Sequence, residues 1–169
     1  MTTKLIALFI TSFLFTSCSS MQIQKSKTFK PEPQKTIAVV PFYNYTQTPM
    51  AGYSAASLAG VILQSHGYNV NTENLRPDAE AELEENGKKR SVLTNTLREK
   101  GYDYMLSGEV TEWRYKTGID AEPVAGLTVH LEDLHSGKTL YSAAGSKTSL
   151  GSGSLSQTAQ KILEEILPK

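Results

Sequence analysis

One cysteine, three histidines and one acidic run are the side chains of this chain that chemistry would draw on first. Cys18 has no partner for an intrachain disulfide and cannot build a cysteine-rich zinc module. His66, His130 and His135 are scattered. His66 stands before a helix-ending glycine, His130 on the polar side of a strand and His135 in a turn, so each reads as structural and no metal or cofactor is expected. A serine nucleophile would need an elbow such as G-x-S-x-G. The nearest stretch, Gly151-Ser152-Gly153-Ser154, reads as a loop entering a helix cap. There is no P-loop and no G-x-G-x-x-G after a strand, so nucleotide chemistry has no support. Asp78, Glu80, Glu82, Glu84 and Glu85 are answered by Lys88, Lys89 and Arg90, the pattern of a solvated face. No catalytic residue emerges, and a binding or assembly role is expected in place of an enzyme.

The position of Cys18 gives it a purpose. Lys4 supplies a positive charge, Leu5 to Phe15 is apolar apart from Thr11 and Ser12, and Thr16-Ser17 leads into the cysteine. This is a signal peptide over residues 1–17. Its apolar stretch is roughly half of the ~20 residues that a spanning helix needs. Leu14-Phe15-Thr16-Ser17-Cys18 looks like a bacterial lipobox, whose cysteine is acylated and becomes the first mature residue. Two or three acyl chains anchor stably where one binds marginally, at about 0.8 kcal/mol per buried methylene. Ser19 and Ser20 follow without an aspartate, as in lipoproteins sorted to the outer membrane, so a lipid-anchored place on its periplasmic face is expected. Asn44-Tyr45-Thr46 fits the N-glycosylation pattern, which a bacterial lipoprotein would rarely use.

The 169 residues suffice for one domain. Lys+Arg and Asp+Glu are 17 each, so no net field would drive the chain onto nucleic acid. Residues 18–34, rich in Ser, Gln and Lys and ending in Pro31-Glu32-Pro33, read as a flexible tether. Its 16 residues after the cysteine would span ~50 Å when extended and about 22 Å as a coil. The domain proper is residues 35–169.

Within it, Thr36 to Phe42 is a near-continuous apolar run, predicting a strand buried on both faces that ends at Pro41. A polar loop over 44–47 leads to Thr48-Pro49 as a helix cap. Ala51, Ala55, Leu58, Ile62 and Ser65 recur at helical spacing up to Gly67. A short strand over 68–71, a second helix carrying Val92, Leu93, Thr96 and Leu97, and a long strand over 104–115 follow. After a polar loop through Pro123 come an alternating strand over 127–132 and its hairpin partner over 139–142. Gly145 to Gly153 reads as a Gly/Ser loop, and Ser154-Leu155-Ser156-Gln157 as a capping box opening the last helix, which Pro168 stops. The expected order is β-α-β-α-β-β-β-α, an α+β sandwich with helices on one side of a small mixed sheet.

Two segments carry a resemblance. Ala38-Val39-Val40-Pro41-Phe42-Tyr43-Asn44-Tyr45-Thr46-Gln47-Thr48-Pro49-Met50-Ala51-Gly52 is one. The more diagnostic is Gly108-Glu109-Val110-Thr111-Glu112-Trp113-Arg114-Tyr115-Lys116-Thr117-Gly118-Ile119-Asp120-Ala121-Glu122-Pro123. With Ser142 to Ser146 and Ser154 to Lys161, they resemble the PelC family, outer-membrane lipoproteins of the Pel exopolysaccharide secretion system. The resemblance implies a TolB-N-terminal-like fold and a homo-oligomeric ring, possibly a dodecamer, under an outer-membrane β-barrel of PelB type. It further implies an electronegative funnel, open to the periplasm, that guides a cationic exopolysaccharide. Asp120 and Glu122 on the matching loop are the funnel candidates, with Glu112 a weaker one. An apolar, aromatic-bearing face toward lipid is also implied. Here Tyr141 and Leu150 stand where tryptophans are expected, and Trp113 is divided between strand packing and a subunit or membrane contact. Related lipoproteins, the LpoB-type activators of peptidoglycan synthases and the curli pore subunit CsgG, share the V-V-P-F opening. The first would need a longer linker and the second extra barrel-forming segments.

Overall fold

The computed structural model describes residues 20–27, 29–73, 87–118, 121–149 and 153–169, with backbone alone for 87–90. Seven strands form one mixed sheet: β1 (Met21–Lys25), β2 (Thr36–Val39), β3 (Tyr43–Asn44), β4 (Asn69–Thr72), β5 (Tyr104–Tyr115), β6 (Pro123–Asp133) and β7 (Thr139–Thr148). Among the described residues three helices accompany them: α1 (Ala51–Ser65), α2 (Gly87–Glu99) and α3 (Leu155–Ile166). The strands lie side by side as β1-β7-β6-β5-β2-β4, with β3 added to β5 beyond the end of β2. β2 runs parallel to β4 and β5, whereas β5, β6, β7 and β1 are successively antiparallel. The α+β class with a mixed sheet is as expected.

β2 explains the architecture. Its side chains and that of the next residue, Val40, alternate between two covered faces, Ile37 and Val39 toward α1 and α3, Ala38 and Val40 toward α2, and all four are buried. The main core lies on the first face, where Ala55, Ala59 and Leu63 of α1 and Ile162, Leu163 and Ile166 of α3 meet β5, β6 and β7. On the second face Leu97 and Leu93 of α2 cover Ala38, Val40, Met105 and Leu134. The helices therefore do not share one side, as the sequence suggested. The continuous apolar run of β2 requires cover on both faces, and α2 supplies the second.

Three boundaries differ from expectation. The β6 and β7 strands are longer: β6 begins at Pro123, whose missing N–H suits a first position, and β7 runs through the Gly145 expected in a loop. Gly145 is there because a Cβ would lie 2.7 Å from Ile162 and 2.8 Å from Ile23, so glycine lets α3 and β1 close on the strand. Met50 in the left-handed region (φ 61°), not Thr48, precedes α1, and it makes no side-chain cap bond. The third difference lies in the expected tether. Met21–Lys25 pairs in register with Lys147 to Ala143, and Ser26 continues the ladder by donating to the Ser142 carbonyl. Alternation turns Met21 and Ile23 toward α3, enough apolar surface to dock a strand whose polar composition concealed it. The capping box at α3 forms as read, Ser154 and Gln157 each satisfying the other's backbone N–H.

Candidate functional site

The acidic candidates sit at the far end of the β5–β6 hairpin. A bulge at Thr111 breaks the register between Val110 and Glu112, and Gly126 stands opposite because a Cβ there would meet the Thr111 hydroxyl at 2.6 Å. The extra residue brings Glu112 onto the sheet face not covered by α1 and α3, and leaves Trp113 on the core face. Beyond Tyr115, Lys116 donates its N–H to the Glu122 carbonyl at 2.8 Å and so closes the hairpin. Ala121 takes a positive φ of 38° in this turn.

Glu112 and Glu122 are together at this end, but neither is a bare anion. The Lys116 ammonium lies 3.2 Å from Glu122, and the Arg114 guanidinium lies 3.3 Å from Glu112. Such partly exposed pairs contribute about 0–1 kcal/mol each to stability. Their larger consequence is electrostatic, because two dipoles replace two negative charges. Asp120, Leu150 and Cys18 lie outside the described residues.

The two described aromatic candidates for lipid or subunit contact belong to the core. Trp113 is 5% exposed, and its carbonyl accepts the Thr48 hydroxyl proton at 2.5 Å. Tyr141 is 4% exposed and donates its hydroxyl to the Ile166 carbonyl at 2.8 Å, pinning the end of α3 to β7. Burial pushes its phenol pKa up. The residue type gave no warning, because a tyrosine suits both a membrane interface and a core position with a buried acceptor. Among the described residues, Tyr45 and Tyr115 are the exposed aromatics, at 67% and 48%.

The asparagine-threonine opening proves to be a loop staple. The Asn44 carboxamide oxygen accepts from the Thr46 N–H and hydroxyl at 3.0 and 2.7 Å, and its nitrogen donates to the Thr48 carbonyl at 2.8 Å. Both ends of the amide are thus committed to the turn, an Asx arrangement. The Thr48 hydroxyl then reaches β5, which is why it does not cap α1.

All three histidines have structural partners. The His66 Nδ1–H donates to the Pro168 carbonyl at 2.8 Å and ties the end of α1 to the C-terminus. His135 lies 3.5 Å from Asp103. His130, on the face left open by α1 and α3, lies 3.3 Å from Glu109 and 2.9 Å from the Ser142 hydroxyl. Around these the open face of β1, β7, β6 and β5 carries Gln22, Gln24, Thr111, Thr128 and Ser146, which border a shallow trough of about 290 Å³. Among the described residues no group of three or more His, Cys, Asp or Glu could hold a metal ion, and no helix is long and apolar enough to cross a membrane.

No protein-family model matches the chain, and no curated protein does. Among solved structures, the PelC dodecamer from Paraburkholderia phytofirmans superimposes with a TM-score of 0.74 at 31% identity, over 87% of this chain and 94% of that one. The chain belongs to the PelC family. Lipoprotein GNA1162 from Neisseria meningitidis shares the fold at a TM-score of 0.55 and 21% identity, covering 78% of this chain and 97% of that one. Protein CT253 from Chlamydia trachomatis does so at 0.52 and 12%, covering 78% and 92%. The segments that carry the family resemblance serve the fold. Their residues in G-E-V-T-E-W-R-Y-K build the longest strand, its bulge and its two ion pairs.

Proposed function

We propose that this chain is a lipid-anchored subunit of a Pel-type exopolysaccharide export machine, held on the periplasmic face of an outer membrane through acylated Cys18. Copies assemble into a ring below a β-barrel partner of PelB type and guide a cationic polysaccharide through its opening. Asp120, Glu122 and Glu112 contribute carboxylates to that opening. The observation that carries the reading is the likeness to the PelC dodecamer over 87% of the chain at 31% identity. The lipobox at Cys18 supports the anchor, and the uncovered polar face of β1, β7, β6 and β5 is compatible with an assembly surface.

The ring contributes shape and potential and breaks no bond. Carboxylates repeated around a water-filled mouth would concentrate a polycation, although the lysine and arginine beside Glu122 and Glu112 reduce the field of each subunit. The test is complementation in a Pel-producing host lacking its own PelC. The wild-type chain should restore polymer secretion, and Cys18→Ser should leave a folded protein in the soluble periplasm that does not. Secretion restored equally by both would contradict the anchored reading.

A further inference from the structure

The register of the antiparallel half builds two cross-strand rows on the open face of the sheet. Gln22 lies opposite Ser146, Ser146 opposite Gly126 and Gly126 opposite Glu112. In the next row Gln24 lies opposite Ala144, Ala144 opposite Thr128 and Thr128 opposite Glu109. Each row thus runs from a carboxamide on β1 to a carboxylate on β5, over three interstrand steps or ~14 Å. Gly126 and Ala144 keep the floor between the polar side chains low, where the trough of about 290 Å³ lies. The groups that border it, Gln22, Gln24, Ser146, Thr128 and Thr111, are neutral, and among the described residues their side chains bond no protein group. Each can donate and accept at once.

We infer that this face is a saccharide-binding platform for a short run of amino-sugar residues. The carboxamides and hydroxyls hold ring hydroxyls, which likewise donate and accept, and Glu109 and Glu112 hold protonated amines at the β5 edge. The site is partly built before a ligand arrives. The Ser142 hydroxyl, His130 and Glu109 form one bonded row, at 2.9 and 3.3 Å, that holds the Glu109 carboxylate in place. Tyr43 pairs with Glu109 in register, and alternation along the continued ladder puts Tyr45, two-thirds exposed, on the same side, where its ring can stack on a sugar face. A second copy of the chain fits this surface less well, because stable subunit interfaces centre on apolar side chains and the large side chains here are polar. The choice of an amino sugar over other sugars rests on the export role proposed above as well as on the two carboxylates.

The test is isothermal titration of the mature full chain, in mild detergent, with the hexamers of glucosamine and of N-acetylglucosamine. The wild-type chain should bind both, the glucosamine hexamer more tightly. Gln24→Ala with Thr128→Ala leaves every charge in place and should weaken both by about tenfold or more, since several hydrogen bonds to the ligand are lost. Glu109→Gln should weaken the glucosamine hexamer and spare the acetylated one. Tyr45→Ser, at an exposed position, should weaken both and provides a second variant should the pair on the sheet fail to fold. Affinity unchanged in the charge-neutral pair and in Tyr45→Ser would overturn the platform and leave only attraction of a polycation to acidic groups. Variants that lose self-association together with binding would also overturn it, by making the face a subunit contact. The export role fails separately: hexamers bound by a chain that does not restore secretion would uphold the platform and remove the Pel-type reading, whereas restored secretion with neither hexamer bound would do the reverse.

Discussion

Thr48 and Trp113 are joined by a hydrogen bond in which the threonine hydroxyl donates to the tryptophan carbonyl across 2.5 Å. It connects the two segments that carry the family resemblance, the loop before α1 and the long strand β5. Thr48→Val keeps the shape and removes the donor. A loss of about 1–2 kcal/mol is expected, since a poorly hydrated carbonyl loses its partner. Thermal denaturation should show a midpoint lower by about 3–6 °C. An unchanged midpoint would mean that water replaces the hydroxyl without cost.

Tyr141 tests the assignment of an aromatic to the core. Tyr141→Phe retains the ring and loses the bond to the Ile166 carbonyl, costing about 1–2 kcal/mol. Membrane association should not change, because the side chain is buried under α3. Stability unaltered with membrane binding reduced would return Tyr141 to the surface.

Asp133 sets an acid dependence. The Ser136 backbone N–H, with help from the Ser136 hydroxyl and the His135 N–H, holds its carboxyl below the usual aspartate range. A carboxylate favoured by the fold stabilises above its unfolded pKa, and that contribution fades as the pH falls through the lower folded value. Urea denaturation should find Asp133→Ala about 1 kcal/mol less stable than wild type at pH 7, with the gap closing below pH ~4. A gap that widened in acid would have the wrong sign.

The ion pair of Lys116 with Glu122 makes an unequal prediction for export. Glu122→Gln alone leaves an uncompensated lysine at the opening, whereas Lys116→Gln with Glu122→Gln removes both charges. If local potential guides a polycation, secretion should fall further in the single variant than in the double one. Equal secretion in both would detach this carboxylate from transport.

The helical and strand periods were plain in the sequence: β2 from its unbroken apolar run, α1 from its alanine and leucine spacing, α3 from its capping box. Glu122 was legible as a loop residue and Glu112 as a strand residue, but the face Glu112 occupies was not, because the Thr111 bulge opposite Gly126 leaves no periodic trace. β1 was invisible for another reason. Gln22, Gln24 and Lys25 look like linker residues, and the strand exists because Met21 and Ile23 find α3 and the missing side chain of Gly145. Tyr141 was read as a contact residue and Trp113 left between strand packing and contact, because aromatic character does not say which surface it serves. The second helix face was missed, although the apolar Ala38 and Val40 needed cover there, which α2 supplies.

The proposed export role depends most on self-association. Native mass spectrometry of the mature chain, released from membranes in mild detergent with its lipid intact and measured over a hundredfold range of concentration, tests it directly. A closed ring of one high subunit number, populated more as concentration rises, is the predicted result. A single-subunit mass at every concentration would contradict it.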